Sequence, residues 1–183
     1  MKVRIEKEKA ARLINCGMVI LITAGYKDKT TITPCAWHLP LSKKPPSVAI
    51  ALARIHFSSQ LIKKSEEFII NIPPWSLLEK VIFCGSFSGQ DKDKFKEAGL
   101  TPQKANSLIK TPKIKECVGH LECALFDIKE IADHYLFFGE VIYTEAEHNY
   151  FKGDFWDTRK IDFIFHLGGK FFFKSAPFLE FKK

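Results

Sequence analysis

Apolar and polar positions along the 183 residues alternate in short blocks, and most of those blocks have the length of a strand. "GMVILITAG" (17–25) is a continuous apolar run, "YKDK" (26–29) reads as a hairpin turn, and "TTITPCAWH" resumes in strand rhythm. Pro34 within that second run predicts an edge strand or a bulge, because proline cannot donate to a ladder. A loop built from Ser42, Lys43, Lys44, Pro45 and Pro46 should follow, and then "SVAIALAR" (47–54), a strand covered on both faces. Ser58 or Ser59 should cap a short helix that carries Leu61 and Ile62 and ends near Ser65. "EFIINI" is the next strand, "SLLEKVIFCG" (76–85) has helical spacing, and "SFSGQDKDKFKEAGL" (86–100) predicts a turn and a short charged helix ending at Gly99.

Residues 101–116 read as loop, interrupted by Pro102 and Pro112. Two long strands, 120–131 and 134–146, should meet at a tight Ala132-Asp133 turn, with a last strand over 160–169 and "KFFFK" pairing at the end. Strands outnumber helices and show no regular βαβ alternation. The expectation is a mainly β fold, a barrel with peripheral helices, as a single domain over 1–183.

Composition narrows the function. Seventeen phenylalanines suit strands and flat aromatic-lined hollows. Twenty-eight basic against 21 acidic residues, a net +7, favour phosphate-bearing partners. The lysines are scattered (Lys43-Lys44, Lys63-Lys64, Lys92/Lys94/Lys96, Lys113/Lys115, Lys182-Lys183) without an aromatic-interleaved arginine run, so no nucleic acid is expected. Five cysteines (Cys16, Cys35, Cys84, Cys117, Cys123) form no CxxC pair, which fits a reduced, cytoplasmic setting. The apolar run from Cys16 is too short to span a bilayer and sits behind Glu6 and Glu8, unlike a leader, so no membrane is expected.

Chemistry concentrates at two places. At Arg54-Ile55-His56-Phe57-Ser58-Ser59 a strand hands over to a helix, whose free N–H groups, two hydroxyls and an arginine could cradle a phosphate. The same residues also make an ordinary capped helix with a surface arginine, the commoner use of serines at such a corner. At Cys35-Ala36-Trp37-His38, strand alternation puts Cys35 and Trp37 on one face and Ala36 and His38 on the other. A planar ring could stack there, or Trp37 could be a core tryptophan beside a rim histidine. "ECVGHLEC" suggests a metal through Cys117, His120 and Cys123, but an extended segment points His120 and Cys123 apart and no fourth ligand is near. No GxSxG, HExxH, Walker A or GxGxxG occurs.

Eight stretches in order, "ILITAG", "TPCAWHLPLSKKPPSVAIAL", "SSQLIKKSEEFIINIP", "LEKVIFCGSFSGQDKDKF", "GLTP", "ECVGHLEC", "DHYLFFGEV" and "HLGGKFF", resemble the flavin-reductase-like family of FMN-binding split barrels, from about residue 16 to 173. That family includes flavoredoxins and ferric reductases. The resemblance implies a Greek-key antiparallel split barrel holding FMN. It places Trp37 against the flavin, with backbone N–H groups from Thr33 through Cys35 and Ala36 to His38 along its ring edges. Thr31 and His134 then contact the cofactor, Ser58 holds its phosphate, and Lys94 reaches its phosphate or ribityl end. Arg54 and Ser59 join this set from helix-terminus physics alone. The family commonly has threonine where Ser58 stands; serine keeps the hydroxyl. Flavin accepts a hydride and releases electrons singly, so no catalytic side chain is required. The implied activity carries electrons from NAD(P)H through FMN to free flavin, ferric iron or a protein acceptor. The alternative is a non-enzymatic carrier docking with redox proteins. The family's homodimers imply a homodimer here.

Overall fold

The computed structural model describes residues 2–14 and 17–181. Cys16, Lys182 and Lys183 lie outside the described residues. A short helix, α1 (Ala10–Ile14), leads into β1 (Ile20–Tyr26), β2 (Lys29–Cys35), β3 (His38–Lys43) and β4 (Pro46–Ala53). Next come α2 (Phe57–Ser65), β5 (Glu67–Ile72), α3 (Leu78–Ser86) and α4 (Lys94–Glu97). The two-residue strands β6 (Pro102–Gln103) and β7 (Lys113–Ile114) interrupt the loop that follows. The long hairpin of β8 (Gly119–Ile131) and β9 (His134–Ala146) and the short one of β10 (Ile164–Gly168) and β11 (Phe171–Lys174) complete the chain.

Seven strands form one antiparallel sheet in the order β2-β1-β5-β8-β9-β4-β3. Consecutive strands are often not neighbours, as in a Greek key. β2 and β3 stand at opposite edges of this sheet, yet only Ala36 and Trp37 separate them in sequence. Two intervening residues reach roughly 11 Å at full extension. The sheet must therefore curl until its edges meet at this corner, while β2 and β3 share no ladder. This is a barrel split along one seam.

Alternation builds two cores. Ile20, Ile22, Ala24, Ile50, Leu52, Phe68, Ile70 and Phe137 fill one face of the sheet, joined by Leu61 and Ile62 of α2. Val19, Leu21 and Ile32 pack on the other face against Leu77, Val81 and Cys84, with Phe95 and Leu100. β1 is thus covered on both sides, which is why its sequence is apolar but for Thr23, whose buried hydroxyl accepts from Asn71. Each such large side chain contributes about 2 kcal/mol by leaving water.

Three local expectations are corrected. Ser42 and Lys43 belong to β3 and Pro46 to β4, so the expected loop shrinks to a turn at Lys44 and Pro45. Ser58 and Ser59 do not cap α2: the helix starts at Phe57 with His56 as its N-cap, and both serines are buried in the first turn. Cys35 and Trp37 do not share a face, because β2 ends at Cys35; the cysteine is buried and the indole is 45% exposed. Pro34 does lie in an edge strand. The Ile32 carbonyl points away from β1 to receive Lys94, and Pro34, two residues on, shares that orientation. Its missing N–H leaves no ladder bond unmade.

Candidate functional site

The free edge of β2 runs between the start of α2 and the end of α3, and a cleft of about 310 Å³ opens along it. Thr31 and Thr33 of β2, His56 and Phe57 at the α2 corner, Gly89 and Lys94 line it, and among the described residues no carboxylate does. Thr33 donates its hydroxyl to Ser58 Oγ at 3.0 Å, tying the strand to the helix. Lys94 is 5% exposed, and its amine donates to the carbonyls of Ile32 and Cys84, both at 2.7 Å. An ammonium has three protons, so one remains for the cleft. Burial holds this amine below the ordinary lysine value, and no ion pair engages it among the described residues.

Thr31 supplies the sharpest observation. Its hydroxyl is fully buried and has no hydrogen-bond partner among the described residues, although buried polar groups almost always have one. Gly89 sits directly against it: a Cβ there would fall 2.0 Å from Thr31 Oγ1. The first-turn amides of α2 have no side-chain cap either. Hydroxyl, ammonium and helix amides thus converge on a polar hollow that lacks a counter-charge. That is a donor set for an anion.

At Pro34, Gly85 and Ser86 this hollow joins a second cleft of about 440 Å³. Its walls are mostly apolar: Val19, Cys35, Ala36, Val81 and Ile82, with His166 and Phe172 of the β10–β11 hairpin across from them. Burial pushes the Cys35 thiol up to about 11, so it lines the wall as a neutral group. The combined space is polar at one end and flat and apolar at the other.

The remaining sequence candidates lie elsewhere. Trp37 packs at a tilt against His134, ring centroids 5.1 Å apart, and His134 also meets Asp133 at 2.9 Å; neither ring lines the two clefts. His38 Nε2 reaches the Met18 carbonyl at 2.8 Å, fastening β3 to the segment before β1. Arg54 is drawn out of the cradle by Glu130 at 2.6 Å and the Ala132 carbonyl at 3.3 Å. The Ser59 hydroxyl is used on the Ala53 carbonyl at 2.9 Å. In "ECVGHLEC", His120 Nε2 bonds the Ile114 carbonyl at 2.9 Å and Nδ1 meets Glu145 at 3.1 Å, while Cys117 and Cys123 are separately buried.

Sequence reasoning missed His56 and Gly89. His56 stands inside the quoted strand-to-helix motif, where the adjacent serines drew attention as caps. Gly89 lies 58 positions from Thr31, and its role depends on a through-space contact without a local signal.

A family model described as the flavin reductase like domain matches residues 12–161. The uncharacterised protein YddH of Escherichia coli is 32% identical over 178 residues, 94% of each chain. The flavoredoxin of Methanosarcina acetivorans superposes with a TM-score of 0.87 at 25% identity, over 98% of this chain and 94% of its own. More distantly, HsaB, the reductase subunit of a flavin-dependent monooxygenase from Mycobacterium tuberculosis, is 26% identical over 127 residues, 69% of this chain and 64% of its own.

Proposed function

We propose that this chain, which belongs to the flavin reductase-like family, holds FMN across the two joined clefts and passes electrons through it. The observation that carries this reading is the unpartnered Thr31 hydroxyl beside the Lys94 amine, in a carboxylate-free hollow that continues into an apolar slot. FMN matches that division, with an anionic phosphate at one end and a planar ring at the other.

Thr31, Lys94 and the first-turn amides of α2 would hold the phosphate, and Ser58 would keep Thr33 in place beneath it. The backbone of Pro34, Cys35 and Ala36 would face the ring, with Phe172 limiting access from the far side. Bound FMN supplies hydride acceptance and single-electron release, so the chain needs no acid or base of its own. Its residues bind, orient and exclude water. As an enzyme it would take electrons from NAD(P)H and deliver them to free flavin, ferric iron or a protein acceptor, as the likeness to a monooxygenase reductase subunit supports. The flavoredoxin likeness favours a second reading, a carrier that keeps FMN and exchanges electrons with redox proteins.

Titration of the purified protein with FMN tests the site: binding at or below micromolar concentration is expected, and a colourless protein that ignores FMN overturns it. Steady-state NAD(P)H oxidation with ferric and flavin acceptors separates the two readings; turnover selects the enzyme and its absence the carrier. The proposal includes a homodimer. Trp37, Leu39, Leu41 and Phe126 are between 42% and 59% exposed, apolar surface that a second copy would cover. Light scattering at twice the chain mass is the expected result. A reducing cytoplasm suits the four described cysteines, all free and buried. Among the described residues no helix is long and apolar enough to cross a membrane.

A further inference from the structure

The polar cleft holds one more group without a partner. The imidazole of His56 lines it beside Lys94 and makes no hydrogen bond within the described chain. Its position is fixed by the backbone: His56 N donates to the Ala53 carbonyl at 3.0 Å, and Ser59 N returns to the His56 carbonyl at 3.1 Å. The side chain is therefore not needed as a cap, and α2 has no side-chain cap bond. An imidazole at the mouth of an anion-binding helix end, facing a buried ammonium, has one use that the rest of the cleft does not cover.

We infer that His56 takes up a proton when the flavin phosphate enters the cleft, which makes the protein's preference for phosphorylated over unphosphorylated flavin strongest at mildly acid pH. The inference rests on the flavin reading above. Three influences lower the proton affinity of His56, which stands exposed at the cleft mouth: partial burial most, then the positive Lys94 of α4, then His134 of β9. Cys84 of α3 faces the same cleft and cannot compensate, because burial pushes its thiol up to about 11. Among the described residues no carboxylate lines the cleft to balance the charges. A phosphate dianion reverses this field. It neutralises Lys94 and offers oxygens to a donating imidazolium, so the proton affinity of His56 rises on binding.

The sign follows from linkage. The free histidine titrates below its ordinary value, and a neighbouring phosphate raises it, so between the free and bound values binding consumes a proton and affinity falls as pH rises. One proton corresponds to at most about tenfold per pH unit. The phosphate's own second ionisation, near pH 6, lies below the window of pH 6.5 to 8 where the effect is read.

The test is a fluorescence titration of FMN and of riboflavin against the full chain at several pH values in that window, repeated with His56→Gln and with His134→Gln. For the unaltered protein, the FMN dissociation constant should rise about tenfold from pH 6.5 to 8, while riboflavin affinity stays flat. His56→Gln should lose the FMN slope, and His134→Gln should keep it. An FMN curve as flat as that of riboflavin, or a slope that survives His56→Gln, overturns the inference and leaves the flavin site standing. No binding of either flavin at any pH overturns the flavin reading as well.

Discussion

Two lysines are buried in this molecule to nearly the same depth, and they are held in opposite ways. Lys113, 3% exposed, donates to Asn106 Oδ1 at 2.6 Å and to the Glu145 carboxylate, which also meets His120. Charge answers charge, and the neighbouring polar groups are satisfied from within the chain. Lys94, 5% exposed, has only two carbonyls, a neutral thiol nearby and an unpartnered hydroxyl across the cleft. A buried cation without a counter-ion is costly. The first arrangement is complete and structural. On the reading proposed above, the second becomes complete when an anion arrives, and the contrast is what sets that end of the protein apart.

The strongest way to break the comparison is at its structural end. Glu145→Gln removes the only carboxylate paired with Lys113 among the described residues and should cost about 3 kcal/mol, read by urea denaturation, with FMN affinity unchanged. The same pair predicts acid sensitivity. Partial burial pushes the Glu145 carboxyl up, but the Lys113 amine bonded to it and nearby His120 outweigh this and hold it below the ordinary range. Its contribution is therefore present above the unfolded carboxyl's value and is lost as pH falls through the folded one. Glu145→Gln should flatten that part of the stability profile. A variant as stable as the parent would mean that Lys113 does not depend on its partner.

Lys94→Met inverts the pattern. The substitution leaves two carbonyls without a donor but also removes an uncompensated charge, so stability should change by less than about 1 kcal/mol. FMN affinity should fall about 30-fold, the effect of losing a charged hydrogen bond worth about 2 kcal/mol. If Lys94→Met unfolds the protein while Glu145→Gln does not, the roles assigned to the two lysines are exchanged.

Much of this was readable along the chain, because strands and hairpins are written locally. "EFIINI" is β5 residue for residue, and the Ala132-Asp133 turn joins β8 to β9 where the polar break falls. Pro34 announced an edge strand through its missing N–H alone. What stayed hidden depends on distance in sequence. The bond between Thr33 and Ser58 spans 25 positions, and that between Lys113 and Glu145 spans 32, and neither leaves a periodic trace. Arg54 read as a phosphate ligand because its neighbours in sequence did, yet the end of β8 supplies Glu130 to claim it. His56 was obscured by the serines that follow it. Serine is a common cap, and only the structure shows the helix beginning one residue before them.

A smaller effect tests the close approach behind Thr31. Gly89→Ala would bring a methyl to 2.8 Å from the Thr31 Cβ as well as onto its hydroxyl. The loop or β2 must shift, at a cost of about 1.5 kcal/mol, and FMN affinity should drop about tenfold because the hydroxyl is displaced. Equal FMN affinity in variant and parent, by titration, would show that this contact has no part in the cradle.

The smallest effect carries the most information, because its two readouts move in opposite directions. Thr31→Val exchanges a hydroxyl for a methyl of nearly the same size in an edge strand, where valine is well accommodated. At a structural position such a change costs stability, since it breaks a bond. Thr31 has no bond to break within the described chain, and its oxygen is buried at the cost of its hydration. Removing that oxygen should raise the stability of the flavin-free protein by about 1 kcal/mol. With FMN bound the same oxygen has a phosphate to donate to, so the variant should bind about fivefold more weakly. A gain in thermal midpoint together with a loss of affinity is the signature of a polar group kept for a ligand. Loss on both counts would mean that the hydroxyl serves the fold, and the difference between the two lysine environments would then have to rest on Lys94 alone.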